Sequence, residues 1–275
     1  MTQISAYMLL IFVLTLLAAG AVSGVIAGLL GVGGGVVLVP VLDWILSVSG
    51  VTHELSIKIA VATSLATIIP TAVASSRAHR RHDAIDDQVI RAWIVPLMFG
   101  AFLGVALTAR LHADAMRVVF AVVATLVAIK MFLPLEGKVL RDTLPLHWKT
   151  AWIPMLIGGI STLMGIGGGS LSVPVMTLCG YSIQRAVGTA SLLGLWIALP
   201  ATLGFLLVDA HQMTLPPLTL GYVNLLAVGV LASITWLTAP IGAQWAHRLS
   251  RRQLQSVFGV FLLLMAFRMV WRAIT

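Results

Sequence analysis

Long runs of apolar residues recur along the whole chain and constrain its fold more than any other feature. A helix needs about 20 apolar residues to cross about 30 Å of hydrocarbon, and the pattern predicts about 8 to 10 hydrophobic helical segments. Charged residues make up only 9% of the 275 residues, whereas a soluble domain carries roughly a quarter. We therefore predict an all-α integral membrane protein. The apolar segments are 6–30, 36–48, 57–75, 92–110, 115–134, 151–164, 170–180, 186–207, 218–240 and 253–274.

A motif rich in glycine and punctuated by proline occurs twice in the chain. GVGGGVVLVPVL begins at Gly31, and GIGGGSLSVPVM begins 134 residues later at Gly165. A second pair of matching stretches follows, with AVATSL beginning at Ala60 and AVGTASL beginning at Ala186. Two matches in the same order indicate an internal duplication.

Basic residues cluster in short loops, and their placement predicts how the two copies sit in the membrane. Positively charged loops stay in the cytoplasm. The basic loops are 77–91, 135–150 and 247–252. The connection 209–217 then lies outside, so each copy crosses an odd net number of times and the second is inverted relative to the first. Arg110 and Arg117 fall in a predicted outside turn and count against this topology. The predicted units are a transmembrane repeat, a cytoplasmic connection and a second transmembrane repeat, at 1–134, 135–150 and 151–275.

The segment that follows the first glycine cluster is too short to cross the membrane. VVLVPVLDWIL has 11 residues, which as helix covers about 16 Å. We predict a broken or re-entrant helix at each glycine cluster, with a short helix that starts at Pro40 or Pro174. Free N–H groups at the positive end of a helix dipole favour an anion. The alternative is that the glycines only allow close helix packing.

Hydroxyl residues near the two clusters are candidates for the same anion site. Thr63, Thr67 and Thr71 share one helix face, and Ser172 closely follows the second glycine cluster. The alternative is that these hydroxyls bond to their own helix or to a neighbour. The predicted substrate-binding residues are Gly33, Gly34, Gly35, Thr63, Ser64, Gly167, Gly168, Gly169, Ser170, Thr189 and Ser191.

Asp43 is the charged residue inside a predicted short helix, where a carboxylate costs about 2.5 to 3.5 kcal/mol on insertion scales. We treat it as a candidate for coupling transport to protons or Na⁺. The alternative is a residue near the helix end that reaches the interface beside Trp44. His79 and His82 belong to the basic loop and are expected to be solvated.

The sequence favours a transporter over the other classes of function. The spans contain neither HExxH nor a His-rich helix, so we predict no catalytic residue and no enzyme. The single cysteine, Cys179, excludes a metal site of several cysteines, and no metal or cofactor is predicted. Most of the net charge of +8 belongs to the topology, and no nucleic-acid module is present. The expected partners are a small anion and the lipid bilayer, and the oligomeric state stays open.

The motifs together resemble the TauE/SafE family of the sulfonate and sulfite permease class. The resemblance rests on the doubled GxGGGxxxVP pattern, on AVATSLATIIPTAVAS and AVGTASLL, and on the RAHRR loop. It covers nearly the whole chain. It implies a multi-pass secondary transporter of the cytoplasmic (inner) membrane that exports sulfite, sulfoacetate or related organosulfonates. The alternatives are an anion channel and a permease for a small organic anion without sulfur.

Overall fold

The chain folds into ten α-helices and one short β-hairpin in the part that the computed structural model describes, residues 6–31, 33–132, 148–209 and 215–274. The helices are α1 (Ala6–Leu30), α2 (Gly35–Val48), α3 (His53–Arg80), α4 (Asp87–Arg110), α5 (Ala113–Phe132), α6 (Trp152–Met164), α7 (Gly169–Leu178), α8 (Ile183–Leu206), α9 (Leu225–Arg248) and α10 (Arg251–Ile274). The strands β1 (Thr219–Leu220) and β2 (Val223–Asn224) pair antiparallel before α9, and a 3-10 turn at Trp148–Thr150 precedes α6. The predicted all-α membrane class is confirmed.

The helices differ in whether they can cross a bilayer. Within the described residues, five apolar stretches are long enough: Val13–Leu30 in α1, and helices α3, α4, α8 and α9. Helix α2 has 14 residues and α7 has 10, which correspond to about 21 Å and 15 Å. A short helix therefore follows each glycine cluster, as predicted.

The two prolines do not start these short helices, which corrects the expectation from the sequence. Helix α2 begins at Gly35 and α7 at Gly169, so Pro40 and Pro174 lie inside them. The glycine before each helix already serves as its N-cap, and the helix starts there. Each proline instead removes one hydrogen bond from the interior of its helix.

The helix contacts of the first half recur in the second half, with each helix number raised by five and α6 to α10 corresponding to α1 to α5. Helix α1 packs on α9 as α6 packs on α4, and α2 contacts α3 and α10 as α7 contacts α8 and α5. Helices α3 and α8 pack on each other, as do α5 and α10. Glycines bring the backbones close, since a methyl group on Gly28 would overlap the carbonyl of Ala239 and one on Gly100 that of Met155.

The α3–α4 and α9–α10 connections, both predicted to be cytoplasmic, lie at the same end of the helices. The ring of His82, just beyond α3, has its centroid 4.2 Å from that of His247 in the last turn of α9. The β-hairpin precedes α9 at the opposite end. Most of the 135–150 connection, and 210–214 of the 209–217 connection, lie outside the described residues.

His79 is buried, which corrects the expectation of a solvated side chain. Helix α3 continues to Arg80, beyond the apolar run that ends at 75, and this extension places His79 against α1 and α9. Its Nε2 donates to the carbonyl of Gly28 at 2.8 Å, and its Nδ1 lies 3.2 Å from Nε2 of His247.

The paired glycine turns as a candidate substrate site

The two glycine turns contact each other between α3 and α8. A methyl group placed on Gly33 would come within 3.4 Å of the Cα atom of Gly167, and one placed on Gly35 would overlap the carbonyl oxygen of Gly165. Ser64 connects α3 with the second turn, because its hydroxyl donates to the carbonyl of Gly165 at 2.8 Å. The fold thus brings together two motifs that are far apart in the chain.

Most backbone N–H groups of the two turns lack an acceptor in the part of the chain that the structure describes. Gly34 and Gly168 are the N-caps of α2 and α7, and neither helix has a side-chain cap. Gly169 differs, because its N–H donates to the carbonyl of Gly167. The N–H groups without an acceptor among the described residues are those of Gly33, Gly34, Gly35, Gly167, Gly168 and Ser170. Two helix N-termini with free donors therefore converge, and this arrangement is suited to an anion.

Gly34 has a backbone conformation that explains its residue type. Its φ is 80° and its ψ is −10°, which is the left-handed region that glycine enters at little cost. Its carbonyl accepts a hydrogen bond from the hydroxyl of Ser23 at 2.9 Å. A side chain at Gly34 would overlap that hydroxyl. The turn therefore requires glycine for its fold, apart from any role in binding.

Buried hydroxyls without a partner lie at the second turn. Ser170 is 1% exposed and Ser172 is fully buried, and neither hydroxyl has a hydrogen-bond partner. An unsatisfied buried polar group costs about 1 to 3 kcal/mol. Sequence reasoning missed Ser161 and Thr162, which are also buried and unpaired at the end of α6. Their position about one helical turn before Gly165 could have identified them as candidates from the sequence.

Thr63 and Thr189 occupy equivalent places and have equivalent partners. The oxygen of Thr63 accepts from the N–H of Asn224, the N-cap of α9, at 3.0 Å. The oxygen of Thr189 accepts from the N–H of Asp86, the N-cap of α4, at 2.9 Å. These hydroxyls thus anchor helix ends, a role that the sequence did not indicate. Their hydrogens have no acceptor among the described residues, and substrate contact stays a prediction.

Other predicted hydroxyls already donate to carbonyl groups. Besides Ser64, Ser191 donates to Gly188 at 2.7 Å, Thr67 to Thr63 at 2.9 Å and Thr71 to Thr67 at 2.8 Å. This agrees with the alternative in which such groups bond back to their own helix. Contact of Ser64 or Ser191 with a substrate stays a prediction. It would require the hydroxyl to give up its hydrogen bond to the carbonyl and donate to the substrate instead.

Comparison with known proteins decides the family. The profile that describes the sulfite exporter TauE/SafE family matches residues 16–269. The chain belongs to the TauE/SafE family. A probable membrane transporter protein of Haemophilus influenzae is 31% identical over 94% of this chain and 98% of its own length. Probable membrane transporter protein YunE of Bacillus subtilis is 22% identical over 93% and 96% of the two chains. No solved structure matches this TauE/SafE protein.

Asp43 of this TauE/SafE protein lies in a buried charge cluster. Its carboxylate is 1% exposed and pairs at 2.8 Å with the fully buried Arg117 of α5. Ser56 of α3 donates to it at 2.6 Å, and Arg272 of α10 lies 3.6 Å away. Helices α3, α5 and α10 thus enclose the carboxylate of Asp43, which is not exposed as the neighbouring Trp44 is.

The same cluster accounts for Arg117, which counted against the predicted topology. Arg117 lies inside α5 rather than in a turn, and Asp43 offsets its charge within the fold. The predicted outside turn between α4 and α5 therefore has one exposed basic residue fewer, and Arg117 counts less against the predicted topology.

Proposed function

We propose that this TauE/SafE protein is a secondary transporter that exports small sulfur-containing anions across the cytoplasmic membrane. Sulfite, sulfoacetate and related organosulfonates are the substrate class. The contact between the two uncapped glycine turns, at Gly33 and Gly167, carries the proposal. A sulfonate spreads one negative charge over three acceptor oxygens, which suits several neutral N–H and O–H donors. Neutral donors bind more weakly than a paired cation and permit release.

Two inverted repeats, 1–134 and 151–275, are the architecture that we propose for this transport. In support, the equivalent helices α3 and α8 run antiparallel. A methyl group on Gly188, near the start of α8, would overlap the carbonyl of Ala84, just beyond α3. Asn224, which follows α8 in the chain, bonds to Thr63 in the first half of α3. Inverted repeats place a substrate site near the membrane midplane at their interface.

Cysteine labelling tests this topology in a Cys179→Ser background. We expect Gln88→Cys and Ser250→Cys to react with an impermeant thiol reagent only after the cells are permeabilised. Leu220→Cys, in the hairpin before α9, should react in intact cells. All three residues are exposed, so access to the reagent depends on the side of the membrane. Equal labelling of the three positions in intact cells would contradict the inverted repeats.

Ser170 provides a test that separates binding from folding. Ser170→Ala removes a buried hydroxyl that has no partner, so stability should stay equal or rise. The affinity for the substrate should fall by about two- to tenfold, which corresponds to one neutral hydrogen bond of about 0.5 to 1.5 kcal/mol. Ser75→Ala is the matched control, because Ser75 is also buried and unpaired but lies far along α3 from the turn. It should leave the affinity unchanged.

The measurement is a thermal-shift titration of purified protein followed by flux into liposomes. A ligand that binds the folded state raises the apparent Tm by mass action. The panel contains sulfite, thiosulfate, sulfoacetate, isethionate, taurine, sulfate and simple carboxylates. A shift with carboxylates alone would identify a permease for anions without sulfur, and flux that does not saturate would identify a channel. Equal affinities of the Ser170→Ala and Ser75→Ala variants would show that the substrate does not bind at the second turn.

A further inference from the structure

A basic groove lies between α3 and α9, at the end of the bundle where the α3–α4 and α9–α10 connections meet. Its cavity has a volume of about 190 Å³. Helix α3 and the residues just beyond it contribute one wall, and α9 contributes the other. The polar and aromatic side chains that line the groove are Arg77, Arg81, His82, Trp236 and Gln244. This groove is separate from the glycine turns.

Two guanidinium groups in the basic groove have no counterion within the described residues. Neither Arg77 nor Arg81 forms an ion pair with a carboxylate among the described residues. Arg77 stacks over the ring of Trp236, with its guanidinium carbon 5.6 Å from the ring centroid. The neighbouring Arg80 differs, because it pairs with Asp87 at 3.1 Å. The groove therefore holds two unpaired positive charges beside an aromatic wall.

The surface of α9 next to the groove is apolar and exposed. Leu237 is 67% exposed, Ile241 44% and Trp245 50%. In a membrane protein such a surface contacts acyl chains, and Trp side chains sit at the level of the lipid head groups. We therefore expect the groove to open toward lipid at the level of the head groups.

We propose that the basic groove binds the phosphate of an anionic phospholipid. Arg77 and Arg81 donate to the phosphate oxygens, since a guanidinium fork matches phosphate geometry. The acyl chains lie along the exposed apolar face of α9. Basic pockets between spanning helices are typical sites for anionic head groups. The adjoining apolar face favours a lipid over free phosphate. This inference needs only the membrane location and is independent of the proposed transport.

Lipid titration of the detergent-purified full chain tests the proposal. Short-chain phosphatidylglycerol should raise the apparent Tm, whereas phosphatidylcholine with the same chains and inorganic phosphate at the same concentration should not. Arg77→Gln/Arg81→Gln should weaken phosphatidylglycerol binding about tenfold or more, because charge-assisted hydrogen bonds are lost. Arg80→Gln is the matched control and should bind as the unmodified protein does.

Three outcomes would overturn the proposal. Equal stabilisation by phosphatidylcholine would indicate a general lipid effect, and equal stabilisation by phosphate would indicate a site for free anions. Unchanged phosphatidylglycerol binding by the double variant would place the lipid elsewhere. Arg81→Gln alone, at an exposed position just beyond α3, keeps the test valid if the double variant does not fold. It should weaken binding in the same direction.

Discussion

Replacing Arg117 by methionine is expected to lower the free energy of unfolding by about 3 to 5 kcal/mol, because the buried Asp43 would lose the guanidinium that bonds both of its oxygens and keep only Arg272, 3.6 Å away. The two side chains are 0% and 1% exposed and lie 2.8 Å apart. Water cannot solvate the carboxylate that is left behind. Chemical denaturation of the detergent-purified variant measures the loss.

Two further variants make the result specific to the buried pair. Arg80→Met breaks the pair with Asp87, whose side chains are 58% and 56% exposed, and should cost less than about 1 kcal/mol. Asp43→Asn combined with Arg117→Met removes both charges of the pair, while the asparagine still accepts from Ser56 and Arg272, which is 25% exposed, remains in contact with solvent. The double variant should recover most of the stability. Equal losses for Arg117→Met and Arg80→Met would show that the charge cluster does not contribute through burial.

The same double variant tests Asp43 as the residue that we propose for coupling. A neutral asparagine cannot take up a proton or attract Na⁺ as a carboxylate does. If Asp43 couples transport, the folded double variant should lose the dependence of flux on a pH or Na⁺ gradient. Flux measured in liposomes with and without each gradient decides between these outcomes. Unchanged gradient dependence would assign coupling to another residue.

Replacing Gly35 by alanine is expected to abolish transport and to destabilise the fold by about 1 to 3 kcal/mol, the usual cost of overpacking. The added methyl group would overlap the carbonyl of Gly165 and come within 2.9 Å of the hydroxyl of Ser64. The two turns must then separate, and the converging N–H groups lose their geometry. Liposome flux and denaturation of the same preparation measure the two effects.

Gly229→Ala is the matched control for this substitution. Gly229 also lies in a helix, but an added methyl group there meets no atom within 4 Å. Alanine in a helix is favoured over glycine by about 0.5 to 1 kcal/mol, so this variant should be slightly more stable and fully active. If a folded Gly35→Ala protein transports normally, the glycine turns are packing elements and the substrate binds elsewhere.

The sequence predicted the short helices and the duplicated turns because both depend on local patterns. An apolar run determines a spanning helix through its own residues, and a short run cannot cross the bilayer whatever surrounds it. Helix α3 shows the limit of this reasoning. It extends to Arg80 through polar residues that the hydropathy pattern assigned to a loop, because His79 gains hydrogen-bond partners on α1 and α9.

Contacts between distant residues were beyond the sequence. Thr63 was predicted as a substrate contact, with a bond to its own or a neighbouring helix as the alternative, and the sequence did not indicate that its oxygen accepts from a residue 161 positions away. Arg117 counted against the topology because the sequence did not show that it pairs with Asp43, which is 74 positions away. A single sequence contains no measure of which helix packs on which. Such pairings can therefore be found only in the folded chain.

The sequence by itself determined the membrane class, the family and the two glycine breaks, because hydropathy, charge placement and motif repetition are properties of the chain alone. The tertiary structure decided that the two turns touch, that Ser170 and Ser172 are left without partners, and that Asp43 is enclosed by opposite charge. These features arise when helices from both halves pack together. Because burial excludes water as an alternative partner, the interactions of the remaining donors and charges depend on the residues packed around them.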